Sequence, residues 1–263
     1  MLPALTRPIL GVAMAITITT FMDATGLAMF SALPLFPLLG LFWYLERLPR
    51  RDLGFVWGRW EHYGLALLYP AVVIGSVAGV SKAAGAIDVS LTDWKQVWVE
   101  LALVAGSTAL VTIVTEEGFF RGWLWASLKR TGMSTGRVLL WSSIAFTLWH
   151  VSPVTLDTGF DLPAAQIPVY LLNATVMGLA WGLLRWLSGS VIVASVSHGL
   201  WNGLAYVFFG FGTKVGALGI ENTAVFGPEV GVLGLALNAG FLAVFWLWAR
   251  DRLAAESAEG SQA

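Results

Sequence analysis

Cysteine is absent from the chain, which removes disulfides, thiolate zinc sites and a cysteine nucleophile from consideration. Charge is scarce as well: 12% of the residues are Asp, Glu, Lys or Arg, against about 25% in a soluble domain. With a net charge of -1 and no basic run, nucleic-acid binding is not expected. No polar stretch is long enough for a separate soluble domain once the apolar runs are set aside. What the chain has is hydrocarbon: 57% hydrophobic residues, a mean hydropathy of +0.75 and 14 tryptophans. Such a composition belongs in a bilayer, with indoles favouring its two interfaces.

The apolar runs number eight, over about 8–22, 25–44, 63–80, 97–130, 137–150, 165–184, 191–209 and 230–248. Taken as eight spans of about twenty residues each, they fit a bilayer core of about 30 Å. The first two make a hairpin turning near Asp23, with Pro34 and Pro37 expected to kink the second. The predicted fold is therefore all-α, a polytopic membrane bundle of about eight transmembrane helices. Residues 1–252 form one membrane-embedded domain and 253–263 a small, polar, disordered tail. Placing both termini inside puts Arg7, Arg47, Arg50, Arg51, Arg59, Lys129, Arg130, Arg137, Arg185, Arg250 and Arg252 on one side. Lys82, Lys95 and Lys214 fall on the other, a bias of eleven to three. That is the asymmetry expected of cytoplasmic segments.

Against this background the stretch Val114-Thr115-Glu116-Glu117-Gly118-Phe119-Phe120-Arg121 stands out. A charge in hydrocarbon costs roughly 3 kcal/mol, so an intramembrane ionisable cluster marks a functional site by default. Glu117 and Arg121 are four residues apart, as are Phe146 and His150, and His198 and Asn202. Residues at that spacing share a helix face. The expected division is that Glu117 pairs with Arg121, which serves structure as well as it serves catalysis. Glu116 is then left free, and a carboxylate in a poorly hydrated pocket suits a general base. Counting thirteen residues inward from Lys129, Arg137 and Arg185 reaches Glu116, His150 and His198, a sign of one common depth. His62, beside Glu61 at a helix start, reads instead as a core histidine. Asp157 and Asp161 read as solvated loop residues, and Trp123, Trp149 and Trp201 as packing or interface residues. Asn202 fits either helix-to-helix glue or a role beside His198.

Glu-Glu-x-x-x-Arg, Phe-x-x-x-His and His-x-x-x-Asn, in this order on separate membrane helices, resemble the motifs of the CAAX protease and bacteriocin-processing (Abi, CPBP) family. That family contains eight-helix intramembrane endopeptidases, the CAAX prenyl endopeptidases among them. The resemblance covers about 101–209, within a catalytic core of about 97–209. It implies peptide-bond hydrolysis within the membrane. Glu116 would activate water, His150 would orient it, and His198 with Asn202 would donate hydrogen bonds to the oxyanion. Glu117, Arg121 and Phe146 would support the site. No metal or other cofactor is expected, although two histidines and a glutamate are also the ligand set of a catalytic zinc, and the family has been described both ways.

The expected partners are a peptide or membrane-protein substrate and the lipid bilayer. The expected activity is an intramembrane endopeptidase cutting near the cytoplasmic half of the bilayer, in a bacterial inner membrane with cytoplasmic termini. The rival from another class is a non-catalytic membrane scaffold or immunity factor. A proton-coupled transporter is a weaker rival, because no internal repeat is visible.

Overall fold

The computed structural model describes residues 2–259, with side chains described for 4–251. Its helices are α1 (Leu2–Ala24), α2 (Leu35–Glu46), α3 (Trp60–Ala83), α4 (Trp94–Thr112), α5 (Trp125–Arg130), α6 (Thr135–Trp149), α7 (Val151–Thr155), α8 (Ile167–Ser188), α9 (Val191–Phe209), α10 (Thr223–Phe226) and α11 (Val232–Glu259). A π-helical segment, Glu117–Leu124, joins α4 to α5. A two-residue hairpin, β1 (Gly210–Phe211) with β2 (Lys214–Val215), interrupts the last long loop. Among the described residues, eight spans are long and apolar enough to cross a membrane. The protein is an all-α, multi-pass integral membrane protein, as the hydropathy predicts.

Three elements differ from the expectation in instructive ways. The second span, Ala28–Glu46, is interrupted by turns at 31–34, so that α2 begins just after Pro34, following a 3-10 turn at Ala28–Phe30, and Pro37 falls in its first turn. Proline is tolerated there because a first-turn N–H has no helical acceptor. The fourth span, Trp94–Arg130, is 37 residues long. As one straight helix it would measure about 55 Å, nearly twice the hydrocarbon thickness. It breaks instead at 113–115 and resumes as the π-helical segment. The last helix runs on to Glu259, through residues expected as tail, while 260–263 lie outside the described residues.

The two ends of the bundle are tied separately. At the basic end the Arg130 guanidinium donates to the Glu46 carbonyl and Val191 N–H to the Gly54 carbonyl. Ser190 caps α9, its Oγ accepting from Ile192 N–H and Val193 N–H while donating to the Val56 carbonyl. At the other end the loops at 84–93 and 210–222 meet, with Asp88 N–H donating to the Leu218 carbonyl and Thr92 Oγ1 to that of Ala217. The 160–166 loop joins them through Gln166 and Thr223.

Between the ends, α8 and α9 are the most buried spans and α4 the least. In lipid, helices associate by close packing of small residues rather than by hydrophobic exclusion. Gly199 and Gly203 of α9 supply that contact to α4: a Cβ on Gly199 would lie 2.5 Å from the Ala105 carbonyl oxygen, and one on Gly203 2.8 Å from Ala105 Cβ. The two glycines alternate with His198 and Asn202, so the helix that carries these polar residues is fixed against α4 at the same level.

Candidate active site

Six of the seven residues picked from the motifs converge on one buried cluster, built by the π-helical segment, α6 and α9. A π turn widens the helix and is common at functional sites. Gly118 permits it here, since a Cβ at that position would lie 2.4 Å from the Ile113 carbonyl oxygen. Glu117 and Arg121 are both fully buried and pair at 3.3 Å. Glu117 Oε1 also accepts from His198 Nδ1 at 3.0 Å. The guanidinium donates from Nη2 to the Gly178 carbonyl at 3.2 Å and lies 4.2 Å from the centre of the Phe146 ring. Trp181 stacks on the His198 ring with centroids 4.0 Å apart. The ion pair is thus enclosed by a carbonyl and aromatic rings, while Glu117 Oε2 and Arg121 Nε and Nη1 make no hydrogen bond among the described residues.

Glu116 stands apart from this web. It makes no hydrogen bond among the described residues, and its Oε2 faces His198 Nε2 at 3.8 Å and His150 Nε2 at 3.9 Å. Both distances exceed a hydrogen bond and suit groups that share a bridging water. His150 sits at the joint between α6 and α7 with φ -84 and ψ 2, in the bridge region where many active-site residues are found. Its Nδ1 is 2.8 Å from the Phe146 carbonyl. A carbonyl only accepts, so Nδ1 carries the proton and a neutral ring turns its Nε2 lone pair toward Glu116. Asn202, the seventh residue, is half-buried one turn beyond His198 and makes no hydrogen bond among the described residues.

The joint that holds His150 is anchored to α1. Trp149 Nε1 donates to Thr19 Oγ1 at 2.7 Å, and Ser152 Oγ to Asp23 Oδ2 at 2.7 Å. The hairpin turns next to Asp23, as expected, and the Asp23 carboxylate is a buried acceptor there. Arg185 was expected to be a cytoplasmic anchor at the bilayer surface. It is buried beneath the site, where Nε donates to the Arg121 carbonyl at 3.0 Å and Nη2 to the Asp52 carbonyl at 2.8 Å. The count of thirteen from Arg185 to His198 also crosses the turn between α8 and α9, so it measures no depth. The site forms by convergence of three elements, and the equal counts do not explain it.

Sequence reasoning missed one further acid. Glu229 lies between the hairpin and α11, outside the spans, and is buried with Oε1 accepting from Trp201 Nε1 at 2.7 Å. Burial pushes its carboxyl up to about 7, against the opposing pull of the Trp201 N–H and of His198. Its backbone is held too, by Asn173 Nδ2 donating to the Glu229 carbonyl at 3.0 Å. Asn238 Nδ2 in turn donates to Asn173 Oδ1, and Tyr69 Oη to Asn238 Oδ1. The two asparagines were open to discovery by the rule that exposed Glu116, since they are polar side chains inside spans. Glu229 gave no such signal, because a carboxylate in a loop is ordinary. Trp123, Trp149 and Trp201 are packing residues, all buried.

Zinc ligands at about 2.0–2.2 Å from a common ion would stand about 3.3 Å from one another. The Glu116 oxygen is about half an ångström farther than that from each histidine nitrogen. Among the described residues no three His, Asp or Glu side chains are gathered closely enough to hold a metal. The donor types are those of a zinc site.

Residues 98–204 match the family model described as type II CAAX prenyl endopeptidase Rce1-like. No curated protein matches the chain. The matched segment contains all seven motif residues; Glu229 lies beyond it.

Proposed function

From the premise that residues 98–204 carry the domain of the Rce1-like CAAX protease family, we propose that the protein is an intramembrane endopeptidase driven by glutamate-activated water. The observation that carries this reading is the separation of roles between adjacent carboxylates. Glu117 is consumed by Arg121 and His198, whereas Glu116 Oε2 faces two imidazole Nε2 atoms across gaps of 3.8 and 3.9 Å. A water held there donates one proton to Glu116 and the other to the His150 Nε2 lone pair.

On attack, Glu116 takes a proton from the water as its oxygen bonds to the peptide carbonyl carbon. The carbonyl oxygen becomes an oxyanion, to which Asn202 and His198 supply hydrogen bonds. When the C–N bond breaks, Glu116 returns its proton to the leaving amine. No covalent intermediate is needed.

One observation favours the zinc form of the same hydrolase. Both histidines give Nδ1–H to an acceptor and turn Nε2 to the shared centre, as metal-bound imidazoles do. Purified protein treated with a chelator separates the two. Under the metal-free mechanism cleavage of a membrane-peptide substrate survives chelation and is lost in Glu116→Gln. Loss on chelation with recovery in zinc would instead make Glu116 a ligand.

A further inference from the structure

At the end of the bundle away from the basic residues, a cavity of about 450 Å³ lies between the 160–166 loop, the β1–β2 hairpin and the 220–230 segment. Two walls lead from it to the motif residues. On α9, His198, Asn202, Ala205 and Phe209 recur at helical spacing and share a face; the last two line the cavity. Ala205 is about 10 Å along the axis from His198. On the other side Phe160, also in the wall, packs on Tyr170 with centroids 5.4 Å apart, and Tyr170 lies 6.2 Å from the His150 ring.

The polar side chains of this lining include four that carry acceptor oxygens, Asp161, Gln166, Glu221 and Glu229, beside Thr213, Lys214 and Thr223. Gln166 is only 8% exposed and its Oε1 is buried without a hydrogen bond among the described residues. Its amide nitrogen is already directed at Thr223 Oγ1, 3.4 Å away. Glu229 is 7% exposed; one oxygen is satisfied by Trp201 and the other has no hydrogen-bond partner among the described residues. Asp161 and Glu221 add two more carboxylates to the lining, whereas the Lys214 ammonium is exposed and 3.5 Å from Glu100. A buried acceptor left unpaired costs about 1–3 kcal/mol, so the occupant this lining stabilises is rich in donors. Phe160 and Phe209 supply apolar surface for an aliphatic stem, which a hydrated metal ion would not use.

Resting on the protease reading, we propose that this cavity is a recognition pocket for a lysine or arginine side chain of the substrate peptide, with Gln166 and Glu229 as its acceptors. An anionic chain terminus would meet carboxylates and unpaired oxygens there, and is rejected. The volume lies within the usual range for ligand sites of about 300–1,000 Å³, enough for one long side chain and its backbone. Occupation would set the scissile bond two helical turns away, beside Glu116. Glu229 faces His198, Glu116, Tyr69, Tyr170 and Tyr206, and shares the cavity with Asp161, Glu221 and Lys214. With its carboxyl at about 7, cation binding strengthens as pH rises through that value.

The test uses the full chain in lipid nanodiscs, carrying Glu116→Gln so that nothing is cut. Fluorescent peptides of one sequence frame, with lysine, norleucine or glutamate at a single position, are titrated against it. The expected result is at least tenfold tighter binding of the lysine peptide than of the norleucine peptide, weakening from pH 8 to pH 6. That margin shrinks at least threefold in Glu229→Gln, which keeps an acceptor for Trp201, and in Gln166→Leu. Equal affinity for lysine and norleucine, a margin unchanged in both variants, or no binding of the lysine peptide overturns the pocket. Lysine-selective binding with no cleavage by the wild-type chain would retire the protease reading and leave the pocket standing. Cleavage without lysine selectivity would do the reverse.

Discussion

Arg121 illustrates how a single residue in this site carries several obligations. Its guanidinium meets a carboxylate, a carbonyl and an aromatic face at once, a geometry that a point-charge ammonium does not reproduce. Arg121→Ala leaves the buried Glu117 without its guanidinium partner, a loss of about 3–5 kcal/mol, and Arg121→Lys is expected to recover less than half of the lost melting temperature. Glu116→Gln, by contrast, breaks no hydrogen bond. It should melt with the wild type while cleavage falls by roughly 10²–10⁴-fold, the usual worth of a general base. Glu229 supplies the pH dependence. Its pKa is raised from 4.5 to about 7 on folding, so the folded state binds the extra proton across that window. The stabilisation is complete below about 4.5 and lost as pH rises through about 7, by on the order of 3 kcal/mol. Glu229→Gln lacks this loss. Melting curves at pH 5 and pH 8 should therefore show the variant gaining on the wild type at the higher pH.

At the scale of elements, the close approach of α4 and α9 rests on two small residues, Gly199 and Gly203, each next in sequence to a polar one. Gly199→Ala drives a Cβ into the Ala105 backbone, and overpacking of this kind costs about 1–3 kcal/mol. It also shifts His198 and Asn202 away from Glu116, so cleavage should fall further than the lowered melting temperature explains. The eight spans and the motif pairs were legible in the sequence because charge in hydrocarbon is costly and helical spacing is regular. The break at 113–115 was legible only as arithmetic, since 37 residues exceed one crossing. The π turn was not, because its cause is a missing Cβ at Gly118 rather than a pattern of polarity. Arg185 misled for a related reason: a cation at the end of a span reads the same whether it reaches for lipid headgroups or lies folded beneath the next helix.

For the whole molecule, the position of the cavity bears on orientation. The sequence-based expectation was of cleavage near the cytoplasmic half of the bilayer. The cavity opens at the end opposite Lys129, Arg130 and Arg137, so cytoplasmic placement of the basic end directs it to the far side of the membrane. A chain without cysteine allows a clean check. Lys214→Cys should react with a membrane-impermeant maleimide in intact cells, and Lys129→Cys only after permeabilisation; the opposite pattern would invert the molecule. The central claim, however, is proteolysis. Its most direct test compares the peptide termini in membranes of cells expressing wild type or Glu116→Gln at equal levels. The account predicts at least one new terminus present with the wild type and absent with the variant. Identical termini, with both forms rescuing the phenotype of a deletion, would contradict it and leave a membrane scaffold in its place.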